Sequence, residues 1–400
     1  MIATWDGAGN LVPTLALARR LARAGHDVRL LGHRSIERRC GSHGWRFLPF
    51  ARTLEVDSAA TAGSGGDMSV IARELWLGES VALDVRDELK RESADVLIAD
   101  CMLGGALSAG ERAGVPTVAL FHGAFALFRR GPVADLFSML LPSLNTTRAA
   151  IGLATVRGLS EVHDACALAV VATPREFEPD IPLPGNIRFA GPLLDAPPLT
   201  RAIEEDVLRV DTNRTDGTAL IVASLSTSDQ GQLPLLRRLV RILSTIDCRA
   251  IVTTGPAIDP GQLRSSDTVQ VVRYVPHDLL LPRASLVMTH AGLGTVMASL
   301  AHGVPLLCLP FGRDQFFNAA RVEALGVGKT IDRDAPDEAI RGALETVLQD
   351  ARARAAAGRF AELIRSYRNG GDAVKEIEHL AQRRMPTNLA GTRHEPVARS

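Results

Sequence analysis

Four hundred residues exceed what one ordinary hydrophobic core organises, so two domains are expected. At 46% hydrophobic and 22% charged residues the composition is that of a globular protein, and 45 basic residues balanced by 45 acidic ones give no electrostatic case for nucleic acid or an anionic membrane. No apolar run reaches the roughly 18 residues of a membrane span, no basic n-region marks a secretory signal, and five scattered cysteines without a CxxC pair (Cys40, Cys101, Cys166, Cys248, Cys308) read as buried thiols of a cytoplasmic protein.

In chain order, "MIATW" reads as a strand and "VPTLALARRLARAG" as an amphipathic helix, with Pro13 in its first turn and Gly25 at its end. "HDVRLLG", "VLIAD" (96–100) and "VALFH" (118–122) are further strands, the last two separated by the helix "GGALSAGERAG". Strands alternating with helices of this length predict βαβ units and a parallel sheet. Two segments interrupt the rhythm. "DSAATAGSGGDMS" (57–69) reads as a loop, and "GAFALFRRGPVADLFSMLLP" (123–142) is apolar and aromatic for a connection. Either lines a pocket for an apolar ligand or is ordinary: a surface loop and a core helix.

Near residue 190 the texture changes to the proline-rich "IPLPGNIRFAGPLLDAPPLT", followed by a charged stretch in which Glu204, Glu205 and Asp206 read as solvated surface. The expected division is residues 1–195, a linker 196–217, residues 218–384, and an aperiodic tail 385–400 expected to be disordered. The second half repeats the alternation: strand "TALIVASL", helix "QLPLLRRLVRILSTI", strands "RAIVTTG", "VQVVRYV" and "LVMTH", helix "TVMASLAHG", strand "LLCLP", then three helical segments from about 336. This predicts an α/β fold of two doubly wound, Rossmann-like domains facing across a cleft. Such sheets bind ligands at the carboxyl ends of their strands.

The chemistry concentrates in residues 287–315, "VMTHAGLGTVMASLAHGVPLLCLPFGRDQ". A strand ends in His290, and the turn "AGLG" leads to Thr295 at a helix start. Hydroxyl, backbone N–H groups and the helix dipole make an anion site there. Gly292 and Gly294 let the backbone approach closely. The imidazole can add a hydrogen bond or a positive charge to a diphosphate. Asp314 and Gln315 offer the acceptors and donors that vicinal sugar hydroxyls need.

This string resembles the donor-site signature of the family 1 glycosyltransferases of GT-B fold, in particular the bacterial (actinomycete) natural-product branch. "YVPH" (274–277), "THAGLGT" (289–295), "HGVP" (302–305) and "GRDQ" (312–315) occur in the family's order. The resemblance covers nearly the whole chain. It implies that Tyr274 stacks on a base, that the Val275 backbone and His277 meet the base edge, and that Ser224 and Thr227 contact phosphate. It further implies that His290, Gly292, Gly294 and Thr295 hold the diphosphate, and that Asp314 and Gln315 hold the sugar. The family commonly has a ribose-binding glutamate eight residues after the histidine; here that position is Ala298. Losing that carboxylate weakens a strict UDP preference and makes TDP-deoxysugars at least as suitable.

The loop "WDGAGNLVP" (5–13) is not a dinucleotide cradle, because Val12 stands where the third glycine is required and no acid ends the second strand. In the family this loop reads Gly-His-x-x-Pro, and the histidine is the general base. Here it reads Gly9-Asn10-Leu11-Val12-Pro13, and an amide takes no proton at neutral pH. The partner aspartate is present as Asp100. Three explanations stand: another base (Asp100 first, His122 second, Asp6 and Asp135 outsiders); an easily ionised phenol or a ring carbon as nucleophile; or a noncatalytic, nucleotide-sugar-binding auxiliary protein. The reaction implied is a single inverting displacement from a UDP- or TDP-sugar to a small hydrophobic aglycone, giving an O- or C-glycoside. It implies no cofactor, no metal requirement and no stable membrane insertion, and it is compatible with a homodimer.

Overall fold

The structure, a computed structural model, describes residues 1–7, 9–41, 44–55, 70–194, 201–210, 217–226, 230–367 and 371–384. Strands β1 (Ile2–Ala3), β2 (Arg29–Gly32), β3 (Arg46–Pro49), β4 (Leu97–Asp100), β5 (Thr117–Phe121), β6 (Leu168–Val171) and β7 (Ile187–Phe189) form one sheet in the order β3-β2-β1-β4-β5-β6-β7. Strands β8 (Leu220–Ser224), β9 (Arg249–Thr253), β10 (Val269–Val272), β11 (Leu286–Thr289), β12 (Leu306–Cys308) and β13 (Gly328–Thr330) form a second, ordered β10-β9-β8-β11-β12-β13. All the strand pairings are parallel. Both orders reverse direction at an internal pair, β1/β4 and β8/β11, and a crevice opens beyond the carboxyl ends of such a pair.

The helices follow from their apolar stripes. Leu11–Arg23 buries Leu11, Leu15, Leu17 and Leu21, and its last turn carries Arg20 and Arg23 against the negative end of its dipole. Leu233–Leu243 buries Leu235, Leu236, Leu239, Val240 and Leu243 on the second sheet. The final helix, Gly371–Arg384, returns to the first sheet. Its Ala373 and Ile377 are buried in the cluster of Leu11, Leu17 and Leu30, and Glu376 pairs with Arg188 at 2.7 Å.

One open alternative is resolved and one expectation is corrected. The aromatic segment after residue 123 packs as core: Phe125 in the short helix Phe125–Phe128 and Phe137 in Pro132–Met139 are buried, and Phe121 packs on Phe125 and Phe128 at 5.2 and 5.1 Å. Only Met139, 72% exposed, is a large apolar side chain left open on that segment. Asp206 is no solvated residue. It is buried on the helix Arg201–Arg209 and accepts the backbone N–H groups of Arg273 and Tyr274 at 3.1 and 3.0 Å, fixing the "YVPH" loop. A turn's unpaired donors need an acceptor when buried, which is why a carboxylate sits there. The loop 57–69 lies outside the described residues.

Candidate active site

At the β1/β4 crevice, the carboxyl ends of three strands bring Asn10, Asp100 and His122 together. Asn10, buried at the start of the helix Leu11–Arg23, donates from Nδ2 to Asp100 Oδ2 at 3.1 Å and to the Trp5 carbonyl at 3.0 Å; its Oδ1 accepts from Gly7 N–H at 3.1 Å. Gly7 must be glycine, since a Cβ would stand 2.6 Å from the Trp5 ring and 2.9 Å from Asn10 Oδ1. Asp100 Oδ1 accepts the Met102 N–H at 2.9 Å. His122, one residue past β5, sets Nδ1 2.9 Å from Asp100 Oδ2.

These contacts reverse the expected order of bases. The Asp100 side chain is fully buried, and both its oxygens are occupied. Burial pushes its carboxyl up, but the His122 imidazole beside it and the hydrogen bonds from Met102 and Asn10 bring it below the usual carboxylate range. It cannot reach an acceptor hydroxyl. The His122 side chain is 20% exposed. Burial opposes its charged form most strongly, yet the Asp100 carboxylate and, to a smaller extent, Asp314 of the second domain together outweigh it, and the imidazole is raised above its ordinary value. Phe317, three residues after Asp314, packs against the core of the first domain. Asp6 accepts from Ser35 Oγ at 2.7 Å as part of the β1–β2 framework, and Asp135 is exposed on the Pro132–Met139 helix.

Two residues that sequence reasoning missed hold this arrangement. His163 places Nε2 2.8 Å from the Cys101 carbonyl, between the rings of Phe121 and Phe128, and burial pushes it down to about 4. Glu178 accepts the N–H groups of Phe125 and Ala126 at 2.7 and 3.0 Å, fixing the turn that follows His122. From the second domain, Arg321 donates to the Phe177 carbonyl at 2.8 Å, next to Glu178. No sequence motif marks any of them. Their roles arise from elements 52 to 144 residues apart.

At the β8/β11 crevice, His290 follows β11 and the helix Leu293–Ala301 begins with Gly292 as its cap and no side-chain capping bond, so its first N–H groups stay open. A Cβ on Gly292 would stand 2.5 Å from His290 Nε2, so only glycine admits the ring. A Cβ on Gly294 would meet nothing within 4 Å; this side of the turn faces open space. Burial, then the charge of Arg313, pushes His290 down to about 4. The ring is therefore neutral at physiological pH, which leaves the hydrogen bond of the two contributions expected and removes the positive charge.

Ser224 ends β8, with its Oγ 3.0 Å from Thr253 Oγ1. Thr227 lies outside the described residues. Val275 is buried in the loop before the helix His277–Leu280, and Tyr274 is half-buried beside it, its hydroxyl pushed up by burial. Burial also pushes His277 down. Asp314 Oδ2 accepts from Asn318 Nδ2 at 2.8 Å, and the same Nδ2 donates to the Ala291 carbonyl at 3.0 Å. Gln315 is already committed at both ends. Its Oε1 accepts from Phe311 and Gly312 N–H at 2.8 and 3.2 Å, and its Nε2 donates to Gln230 Oε1 at 2.9 Å. A second amide hydrogen is left for a ligand. Ala298 is buried among Val222, Val275 and Val304, and no carboxylate replaces the missing glutamate on that turn.

One group of described residues has the atom types and spacing of a metal site: Asp100, Cys101 and His122, mutually within 4.8 Å. The thiol is pushed well above its ordinary value by burial, and the carboxylate oxygens are already occupied. This donor set fits a proton relay better than a cation. A cavity of about 540 Å³ opens beside Thr117 and Ala167, at the start of β5 and β6, and no site residue lines it.

Residues 237–380 match the family described as Erythromycin biosynthesis protein CIII-like, C-terminal domain. The chain is 27% identical over 427 residues to 4'-demethylrebeccamycin synthase of Lentzea aerocolonigenes, covering 95% of this chain and 99% of that one. The calicheamicin glycosyltransferase CalG4 shares the fold with a TM-score of 0.78 at 21% identity, over 96% of this chain and 99% of that one. The glycosyltransferase VinC, solved in complex with DTDP, superposes with a TM-score of 0.74 at 19% identity, over 96% and 99%. Among the described residues no helix is long and apolar enough to cross a membrane.

Proposed function

We propose that the chain is a family 1 glycosyltransferase of GT-B fold that transfers a hexose or deoxyhexose from a TDP-sugar to the hydroxyl of a hydrophobic natural-product aglycone, with inversion, using His122 as general base. The observation that carries this reading is the Asp100–His122 pair at the mouth of the first sheet, facing Asp314 of the second. Nδ1 of His122 faces the Asp100 carboxylate and carries the proton; Nε2 is then the acceptor. It takes the aglycone's hydroxyl proton as the oxygen attacks the anomeric carbon. The bond from that carbon to the β-phosphate oxygen breaks, and its electron pair leaves with the nucleoside diphosphate. Neutral His290 and the open N–H groups at Leu293–Thr295 stabilise the departing charge. The reaction as written needs no metal.

Asn10 keeps the family histidine's contact with Asp100 while the proton acceptor has moved two strands along the sheet, from β1 to β5. The preference for TDP rests on Ala298, since a 2′-deoxyribose has one hydroxyl fewer to bind. DTDP bound to VinC and the spinosyn aglycone bound to the structurally similar rhamnosyltransferase SpnG support the substrate classes. Five free, buried cysteines suit a cytoplasmic enzyme.

The test is turnover. The protein is incubated with TDP- and UDP-sugars and a panel of aromatic polyketide and macrolide aglycones, product mass is followed, and the anomeric configuration is read by NMR. Transfer with inversion, faster from TDP-sugars and lost in His122→Asn, is expected. Nucleotide binding with neither transfer nor slow donor hydrolysis would sink the catalytic reading in favour of an auxiliary binding protein.

A further inference from the structure

Among the described residues, two non-glycine residues have positive φ: Ala291 at +65° and Arg313 at +57°. Left-handed backbone is strained for a side chain with a Cβ, and such strain persists only where surrounding contacts impose it. Here they do. Gln315 Oε1 holds the N–H groups of Phe311 and Gly312 just before Arg313. Asn318 holds Asp314 just after it. The same Asn318 nitrogen holds the Ala291 carbonyl, so the two strained residues belong to two loops fastened to one amide.

The side chain so placed is exposed, and among the described residues no hydrogen bond or ion pair engages its guanidinium. Its charge nonetheless reaches His290. The surrounding charges make this placement informative. The turn at 290–295 presents neutral groups only: an uncharged imidazole, a threonine hydroxyl and backbone N–H groups. A leaving diphosphate gains a full negative charge as the glycosidic bond breaks.

We propose that Arg313 is the cation of the donor site: its guanidinium pairs with the diphosphate and takes up the charge that develops on the leaving β-phosphate, and the left-handed backbone at residue 313 exists to aim it there. The proposal rests on the donor-site reading above. A planar guanidinium is suited to two phosphate oxygens at once. An arginine without an intramolecular carboxylate partner is available for a ligand.

The experiment separates function from folding by substituting glycine, which relieves the backbone conflict. Arg313→Gly should leave the melting temperature of the free protein unchanged or raised. It should weaken TDP by about 10- to 100-fold, the worth of a hydrogen-bonded charge. The loss should be smaller for TMP and absent for thymidine. Arg313→Lys should recover part of the TDP affinity, and its transfer rate at saturating donor should fall between wild type and glycine. If Arg313→Gly binds TDP, TMP and thymidine as wild type does while His290→Ala loses TDP, the proposal falls and the donor site stands. If all three ligands weaken equally, Arg313 shapes the loop and does not meet phosphate. If wild type binds no TDP, the donor-site reading fails and takes the proposal with it.

Discussion

His122 and His290 occupy equivalent places in the two domains, each one residue beyond a central parallel strand, yet their pKa values are driven in opposite directions. His122 has a buried carboxylate 2.9 Å away and is raised. His290 has burial and a nearby arginine and is lowered to about 4. The same side chain is thereby raised by a carboxylate in one domain and lowered by burial in the other. Fold position places both; the neighbouring charge decides the chemistry.

The largest expected effect that would break this contrast is at His122. Replacing it with asparagine should lower the transfer rate by roughly 10²- to 10⁴-fold, the usual worth of a positioned base, with TDP affinity changed little. Equal losses of rate and TDP affinity would mean that the two half-sites are not separable. Asp100→Asn should lower the rate on the order of 10²-fold and also move the pH profile. In wild type, kcat/KM should rise with pH as His122 loses its proton, at a pKa above the ordinary value of 6.5. Without the carboxylate that acid limb should shift to lower pH; an unmoved limb would detach His122 from Asp100. The stability side has a fixed sign. A raised histidine contributes stability that is full below its unfolded pKa and fades as pH rises through the folded one, so thermal scans of Asp100→Asn and wild type should converge towards high pH.

At the other histidine, His290→Ala should weaken TDP by about 10- to 100-fold, and His290→Gln, which supplies a neutral donor, should retain most of the affinity. Better binding by a permanently charged lysine at 290 would contradict neutrality. The smallest effect belongs to Asn10. Asn10→Ala leaves Asp100 with His122 and Met102 as partners, and should cost about 1–3 kcal/mol of stability with a several-fold loss of rate, measured by denaturant melts alongside initial rates.

The strand, glycine turn and helix start of residues 287–315 were legible because they follow each other directly in one string. The parallel sheets were equally readable from the alternation of strands and helices; the order of the strands within them was not. The base was not. Asp100 and His122 were both named, but their ranking depended on which carboxylate oxygens were already bonded, and those bonds come from Asn10 and Met102, 90 residues apart in one case and two in the other. The misreading of Asp206 has the same origin: a carboxylate in a polar stretch looks solvated until a distant loop's N–H groups are laid over it. The aromatic segment 125–137 was ambiguous because apolarity reports burial, and a core helix and a ligand wall have the same composition.

The return of Gly371–Arg384 to the first sheet bears on how such proteins can be recombined. Exchanging acceptor halves between relatives invites a single crossover in the stretch between the sheets. In this chain that cut would leave the receiving half without Ala373, Ile377 and the Glu376 partner of Arg188, and would give the new half a closing helix grown for another surface. The physical acceptor module is discontinuous. A hybrid built with two crossovers, the second ahead of residue 371, keeps that seam intact.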